Sequence, residues 1–77
     1  MKWQINGLFL EKNFHFDTFM QALDFVNKVA AVAEQSDHHP EILMHNYNQV
    51  RIQTTTHSEG KISKLDYDLA LQIDSLE

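Results

Sequence analysis

A long helical pattern that ends at Asp37-His38-His39-Pro40 constrains the fold of this chain more than any other feature. Before this segment, apolar residues recur at three- and four-residue steps, which places them on one stripe of a helix. The stripe consists of Phe19, Ala22, Leu23, Val26, Val29, Ala30 and Ala33. We therefore predict a helix from about Thr18 to Gln35 or Ser36, with Asp17 as its N-cap. Pro40 cannot continue the helix, and it favours extended backbone at His39.

Alternating polar and apolar residues on both sides of this helix predict strands. Before the helix, Asn6-Gly7 is a good turn dipeptide, so Trp3–Phe16 is predicted to be a hairpin. After the helix, Glu41–Tyr47 and Gln49–His57 are predicted to be strands. The segment Asn46-Tyr47-Asn48 supplies the turn residues for an antiparallel connection between them.

The last predicted strand has two faces of different character. One face carries Val50, Ile52, Thr54 and Thr56, and the other carries Arg51, Gln53, Thr55 and His57. Because side chains alternate along a strand, His57 is predicted to lie on the more polar face, at the end of the strand.

A second helix is predicted after Ser63-Lys64-Leu65-Asp66, which matches a capping box in which serine and aspartate satisfy free amides reciprocally. Its apolar residues are Leu65, Leu69, Ile73 and Leu76. The order strand-strand-helix-strand-strand-helix predicts one α+β domain over residues 1–77. Its architecture is a four-stranded antiparallel sheet with the helices packed on one face.

Composition excludes several classes of function. The chain has 77 residues and no cysteine, so disulfides and thiolate metal sites are excluded and the core is thin. A chain this short often oligomerises, and we expect a homo-oligomer. The net charge of -5 argues against nucleic-acid binding. No apolar run approaches ~20 residues, and Met1–Asn6 lacks the apolar core of a signal peptide, so we expect a soluble cytoplasmic protein away from membranes.

The histidines are the candidates for chemistry. Histidine exchanges protons near neutral pH, which suits general acid–base catalysis. His38 follows the predicted helix end, where free carbonyls favour a cation. Asp37 and Glu34 are close in sequence and would favour the same charged form. We hypothesise that His38 serves as a general acid.

Other interpretations of the histidines remain open. Asp37-His38-His39-Pro40 could be a polar helix end without chemistry, and His15 and His45 are interpreted as strand or turn residues. Three histidines can bind zinc, but His38 and His39 diverge in extended backbone and no chelating spacing supports a metal. Neither a nucleophile elbow nor a glycine-rich phosphate loop is present. An enzyme of this kind would therefore move protons without a cofactor.

Several segments together resemble the pterin-4a-carbinolamine dehydratase family. They are Glu34–Glu41, Tyr47-Asn48-Gln49-Val50, Thr55-Thr56-His57, Ser63 and Asp66. The resemblance implies a dehydratase that converts 4a-hydroxytetrahydropterin to quinonoid dihydropterin and water, and so recycles a tetrahydrobiopterin-type cofactor. It also implies dimers, often paired into tetramers.

The resemblance assigns roles residue by residue. His38 and His57 match the positions that handle protons, and His39 matches the histidine that contacts the pterin. The polar positions that line or support the site are Glu34, Asp37, Thr56 and Asp66. The role of Trp3 stays open.

A second function follows from the same resemblance. Animal members of the family also act as dimerisation partners of a homeodomain transcription factor, so the chain could be a non-catalytic binding module. Phe25 and Val32 lie off the predicted helix stripe. They are the candidates for such a contact, or for a contact between copies of this chain.

Overall fold

The computed structural model describes residues 2–77 and contains the predicted order of strands and helices. The elements are β1 (Gln4–Asn6), β2 (Phe9–His15), α1 (Phe19–Ser36), β3 (Glu41–His45), β4 (Gln49–Thr54) and α2 (Lys64–Asp74). The strands form one antiparallel sheet in the order β1-β2-β4-β3. The predicted α+β architecture is therefore confirmed, with β4 in the interior of the sheet beside β2 and β3.

The first hairpin turns one residue after the start of the predicted Asn6-Gly7 dipeptide, because Asn6 belongs to β1. Asn6 pairs with Phe9, which leaves Gly7 and Leu8 as the two central residues of the turn. Gly7 has a φ of 61°, and a positive φ at the first central position is typical of a type II′ turn. The turn sets the register that places Leu10 and Phe14 in the core.

Helix α1 begins one residue later than its predicted cap implies. Thr18 is the N-cap, and its Oγ1 accepts a hydrogen bond of 3.1 Å from the amide of Gln21. The prediction of Asp17 as N-cap was wrong. The Asp17 amide instead donates to Oε1 of Gln21, so the cap is closed from both sides by Thr18 and Gln21. Both residue types cap helices, and only the backbone conformation distinguishes them.

The buried face of α1 differs from the predicted stripe. Ala22, Phe25, Val29 and Ala33 are buried, whereas Phe19 is 51% exposed. Phe25 packs against the rings of Phe14 and Phe16, with centroids 4.7 and 5.0 Å away. The prediction that Phe25 lies off the core was wrong, and Val32 also packs against the core. Apolar residues surround most of this helix, so spacing alone could not orient it.

Both helices pack on one face of the sheet. The core joins side chains of the sheet to side chains of α1 and α2; it consists of Trp3, Leu10, Phe14, Ala22, Phe25, Val29, Val50, Ile52, Leu69, Ala70 and Ile73. The opposite face of the sheet is polar, with Asn13 donating to Gln49 and Gln53 donating to Glu11. Neither helix in residues 2–77 is long and apolar enough to cross a membrane.

Polar contacts fasten the C-terminal end of α2 to the sheet. The indole of Trp3 donates to Oδ1 of Asp74 at 3.0 Å, and Lys12 Nζ contacts the same oxygen at 2.8 Å. Asp74 lies eight residues after Asp66, about 12 Å further along a helix that rises ~1.5 Å per residue. Trp3 therefore binds α2 at the opposite end of the helix from Asp66.

Candidate functional site

Asp66 is the centre of a buried hydrogen-bond network at the start of α2. Its side chain is fully buried. Oδ2 accepts from the Ser63 amide at 2.9 Å and from Thr56 Oγ1 at 2.8 Å. Oδ1 lies 2.6 Å from both Thr54 Oγ1 and His38 Nε2. A carboxylate offers about four acceptor positions, so this network satisfies Asp66 completely.

The network keeps Asp66 ionised. Burial by itself would raise the pKa of Asp66, because it disfavours the charged form. Hydrogen bonds from Thr54, His38, the Ser63 amide and Thr56 outweigh burial and lower the pKa below its usual value. An ionised carboxylate can only accept, so Nε2 of His38 carries the proton in this contact.

The end of α1 places His38 next to Asp66. Asp37 adopts a left-handed conformation with a φ of 50°, which terminates the helix. The His38 amide then donates to the Ala33 carbonyl at 3.2 Å. The His38 side chain is 14% exposed, so it bridges the buried carboxylate and the surface. Because Asp66 occupies Nε2, Nδ1 is the ring nitrogen of His38 that Asp66 leaves unbound.

The carboxylate that contacts His38 is distant in sequence. Asp37 and Glu34 are the neighbours that the sequence suggests, but the contact comes from Asp66, 28 residues away. Glu34 instead pairs with His39, at 3.3 Å between Oε2 and Nε2. Both of those side chains are largely exposed, so the pair adds little to stability. Asp37 acts through its backbone as the helix cap and has an exposed side chain.

His57 lies in an exposed turn directly after Thr56. The Thr56 amide donates to the Lys61 carbonyl at 3.1 Å, and the Gly60 amide donates to the His57 carbonyl at 3.1 Å. These bonds hold the turn against the end of β4. The structure thus brings His38, Thr56 and Asp66 into one network. It leaves the His57 imidazole at the surface, one residue from that network.

Thr54 is the member of the network that sequence reasoning did not select. It is 1% exposed and donates to the same oxygen of Asp66 as His38. A signal was present, since Thr54 and Thr56 share the strand face of Val50 and Ile52. A hydroxyl on a buried apolar face needs a partner, and that partner had to come from outside the strand.

A groove of about 390 Å³ lies beside His38, between the end of α1 and helix α2. Its lining residues are Gln35, Ser36, His38, Leu65, Asp68, Leu69 and Gln72. The volume falls in the range of small-molecule sites. His38 is the only predicted site residue that borders it, so the groove reaches the network from one side.

Comparison with known proteins identifies the family. A sequence model of the family described as pterin 4 alpha carbinolamine dehydratase matches residues 1–76. The chain belongs to this family. A relative from Sulfurisphaera tokodaii is 43% identical over 74 residues, covering 96% of this chain and 78% of the relative. One from Picosynechococcus is 43% identical over 67 residues, covering 87% and 72%. Both are named "Putative pterin-4-alpha-carbinolamine dehydratase".

Two solved structures share the fold of this pterin dehydratase family member. A Brucella melitensis protein described as a transcriptional coactivator/pterin dehydratase has a TM-score of 0.87 and 34% identity, over 96% of this chain and 80% of that one. A pterin dehydratase-like RuBisCO assembly factor of the alpha-carboxysome has a TM-score of 0.82 and 24% identity, over 99% and 89%. At 24% identity, the similarity to the RuBisCO assembly factor concerns the fold alone.

Proposed function

We propose that this protein dehydrates a 4a-hydroxytetrahydropterin to quinonoid dihydropterin and water by acid–base catalysis. The observation that carries the proposal is the 2.6 Å contact between buried Asp66 and His38 Nε2. It fixes the orientation of one partly exposed histidine and leaves Nδ1 as the ring nitrogen that Asp66 does not bind. Membership of the pterin dehydratase family supports a pterin as the substrate class.

The reaction needs one proton donated and one removed. In the proposed mechanism, doubly protonated His38 donates its Nδ1 proton to the 4a-hydroxyl, and the bond between C4a and oxygen breaks as water leaves. The adjacent ring nitrogen loses its proton to His57, and its electron pair forms the double bond to C4a. The two histidines then return to their starting states by exchange with solvent, so no proton is gained or lost overall.

The remaining predicted residues have supporting roles in this proposal. His39 contacts the pterin, and Glu34 orients His39 through the pair at 3.3 Å. Asp37 ends α1 so that His38 and His39 lie beyond the helix. Thr56 and Asp66 hold His38 in place. A positioned acid or base typically contributes 10²–10⁴-fold to the rate, which sets the scale of the expected losses.

The test follows decay of a 4a-hydroxytetrahydropterin with and without the protein. Wild type is expected to accelerate decay, and His38→Ala and His57→Ala are each expected to lower kcat by about 10²-fold or more. His15→Ala is the matched control, because His15 is exposed on the polar face of the sheet and its side chain hydrogen-bonds to Asn13, away from the Asp66 network. Full activity in both His38→Ala and His57→Ala would rule out the mechanism.

A second candidate function is a non-catalytic binding module. The description of the Brucella melitensis protein as a coactivator favours it, together with the exposed side chains of Phe19 and Met20 at the start of α1. Phe25, the residue that first suggested such a surface, is buried and gives no support. No acceleration of pterin dehydration by the folded wild-type protein would favour this second function.

A further inference from the structure

Thr54 carries a buried hydroxyl where the sheet would accept an apolar residue. Its neighbours on the same face of β4, Val50 and Ile52, are fully buried. A β-branched apolar side chain would fill such a position without needing a hydrogen-bond partner. The hydroxyl is instead directed at Oδ1 of Asp66, at 2.6 Å. The position therefore serves the carboxylate as well as the core.

Thr54 and His38 share a single oxygen. The two lone pairs of Oδ1 are divided between Thr54 Oγ1 and His38 Nε2, each 2.6 Å away. Thr56 and the Ser63 amide hold the other oxygen. Threonine is restricted at χ1, and Thr54 is paired with Leu10 of β2 at the end of β4, so its hydroxyl has a defined direction. Removing it would leave the His38 imidazole as the one donor to Oδ1, with Thr56 and the Ser63 amide still bound to Oδ2.

We propose that Thr54 is a positioning residue that holds Oδ1 of Asp66 in the orientation in which it accepts the Nε2 proton of His38. Thr54 thereby determines which nitrogen of His38 faces outward. Only the kinetic consequence of this inference rests on the proposed function. The state of Asp66 and His38 is measurable in the protein without any substrate.

The decisive variant is Thr54→Val, which keeps the β-branched shape and removes the hydroxyl. Thr55→Val is the matched control, because Thr55 is the next residue, is 9% exposed and makes no hydrogen bond to Asp66. Thr54→Ser restores a hydroxyl and is expected to recover the wild-type behaviour in part. Thr54→Ala removes the hydroxyl with a smaller side chain, so a packing defect specific to valine does not decide the result.

The first readout is NMR of the substrate-free protein. In Thr54→Val, the fraction of neutral His38 protonated at Nε2 is expected to fall, as measured by ¹⁵N shifts of the ring. The pKa of the Asp66 carboxyl, followed by ¹³C, is expected to rise because one donor is lost. Wild-type values for both quantities in Thr54→Val and Thr54→Ala would overturn the proposal, whether or not the protein is a dehydratase.

The second readout is the pH profile of dehydration. In Thr54→Val, kcat is expected to fall about tenfold with KM unchanged, a part of the 10²–10⁴ that a positioned acid contributes. The acid limb should move to higher pH, because Asp66 is protonated at higher pH when its donor is missing. Thr55→Val should keep the wild-type limb. If Thr54→Val lost stability but kept the wild-type acid limb, Thr54 would only pack in the core and the proposal would be overturned.

Discussion

At the scale of single residues, Asp66 joins two tasks that usually belong to different side chains. Through Oδ2 it closes the capping box of α2, by accepting from the Ser63 amide. Through Oδ1 it binds His38 and Thr54. Since all of these donors point at one buried carboxylate, the start of α2 and the orientation of His38 depend on the same charge.

Asp66→Asn is expected to destabilise the protein strongly. The asparagine side chain keeps the shape of aspartate, but its NH₂ group would replace one of the two acceptor oxygens. The buried donors that bind that oxygen would then be left without an acceptor. We expect a loss of about 3 kcal/mol in the free energy of unfolding, measured by urea denaturation. Asp68→Asn, on the same helix and paired with exposed Lys64, should change it by less than about 0.5 kcal/mol. Equal effects of the two substitutions would contradict this account.

The lowered pKa of Asp66 predicts a loss of stability in acid. The folded-state pKa lies below the usual 3.8, so below that pH the unfolded state binds more protons than the folded state. The contribution is fully present above the unfolded pKa and is lost as the pH falls through the folded pKa. Urea denaturation of wild type from about pH 6 to pH 2 should show it. Asp66→Asn should have a flatter curve, and parallel curves would refute the assignment to Asp66.

At the scale of elements, α1 shows how an apolar helix selects its buried face. Its sequence offers apolar residues around most of its circumference, and the Phe14, Phe16 and Phe25 rings decide which of them are buried. The chosen face runs through Ala22, Phe25, Val29 and Ala33. The helix then ends at Asp37, at the rotation that directs His38 toward α2. The orientation of α1 on the sheet therefore also determines the position of His38.

The two phenylalanines of α1 give a direct test of this orientation. Phe25→Ala removes a ring that is 4% exposed and should cost about 3–5 kcal/mol of unfolding free energy. Phe19→Ala removes a ring that is 51% exposed and should cost less than about 1 kcal/mol. Thermal and urea unfolding would measure both. Similar losses for the two variants would mean that α1 is rotated relative to the structure described here.

At the scale of the whole molecule, α2 is fastened at both ends to distant parts of the chain. Near its start, Asp66 contacts His38 and Thr54, and at its end Asp74 contacts Trp3 and Lys12.

The molecule also leaves large apolar side chains exposed on several surfaces. They are Ile5, Leu8, Phe19, Met20, Leu43, Tyr47, Leu65, Tyr67 and Leu71. For so small a core, this much exposed apolar surface favours association.

We expect the protein to associate into a homodimer or homotetramer, because association would cover part of that surface. Light scattering coupled to size-exclusion chromatography should give two or four times the 9.0 kDa of one chain. Dilution should not dissociate the assembly at micromolar concentrations. A mass of 9.0 kDa at every concentration would contradict the expectation.

The sequence by itself determined the elements of this protein and their order. Strand alternation, the capping box at Ser63 and the stop at Pro40 are local properties, so they predicted the order of β1 to α2. The predicted strand ends at Tyr47 and His57 were wrong, because β3 ends at His45 and β4 ends at Thr54. Local pattern also placed Thr54 and Thr56 on the same side as Val50 and Ile52, and both threonines are buried, although β4 itself ends at Thr54. The segments around His38, His57 and Asp66 were sufficient to suggest the family, to which the chain belongs.

Tertiary structure alone decided which partners meet. The contact between His38 and Asp66 spans 28 residues. The side of α1 that packs on the sheet depends on aromatic packing among separate elements. Both depend on where α1 and α2 lie on one sheet, which periodicity within either helix does not specify. For the same reason the shared oxygen of Thr54 and His38 could not be read from spacing. A hydrogen bond needs two positions in space, whereas sequence spacing gives positions only along one element.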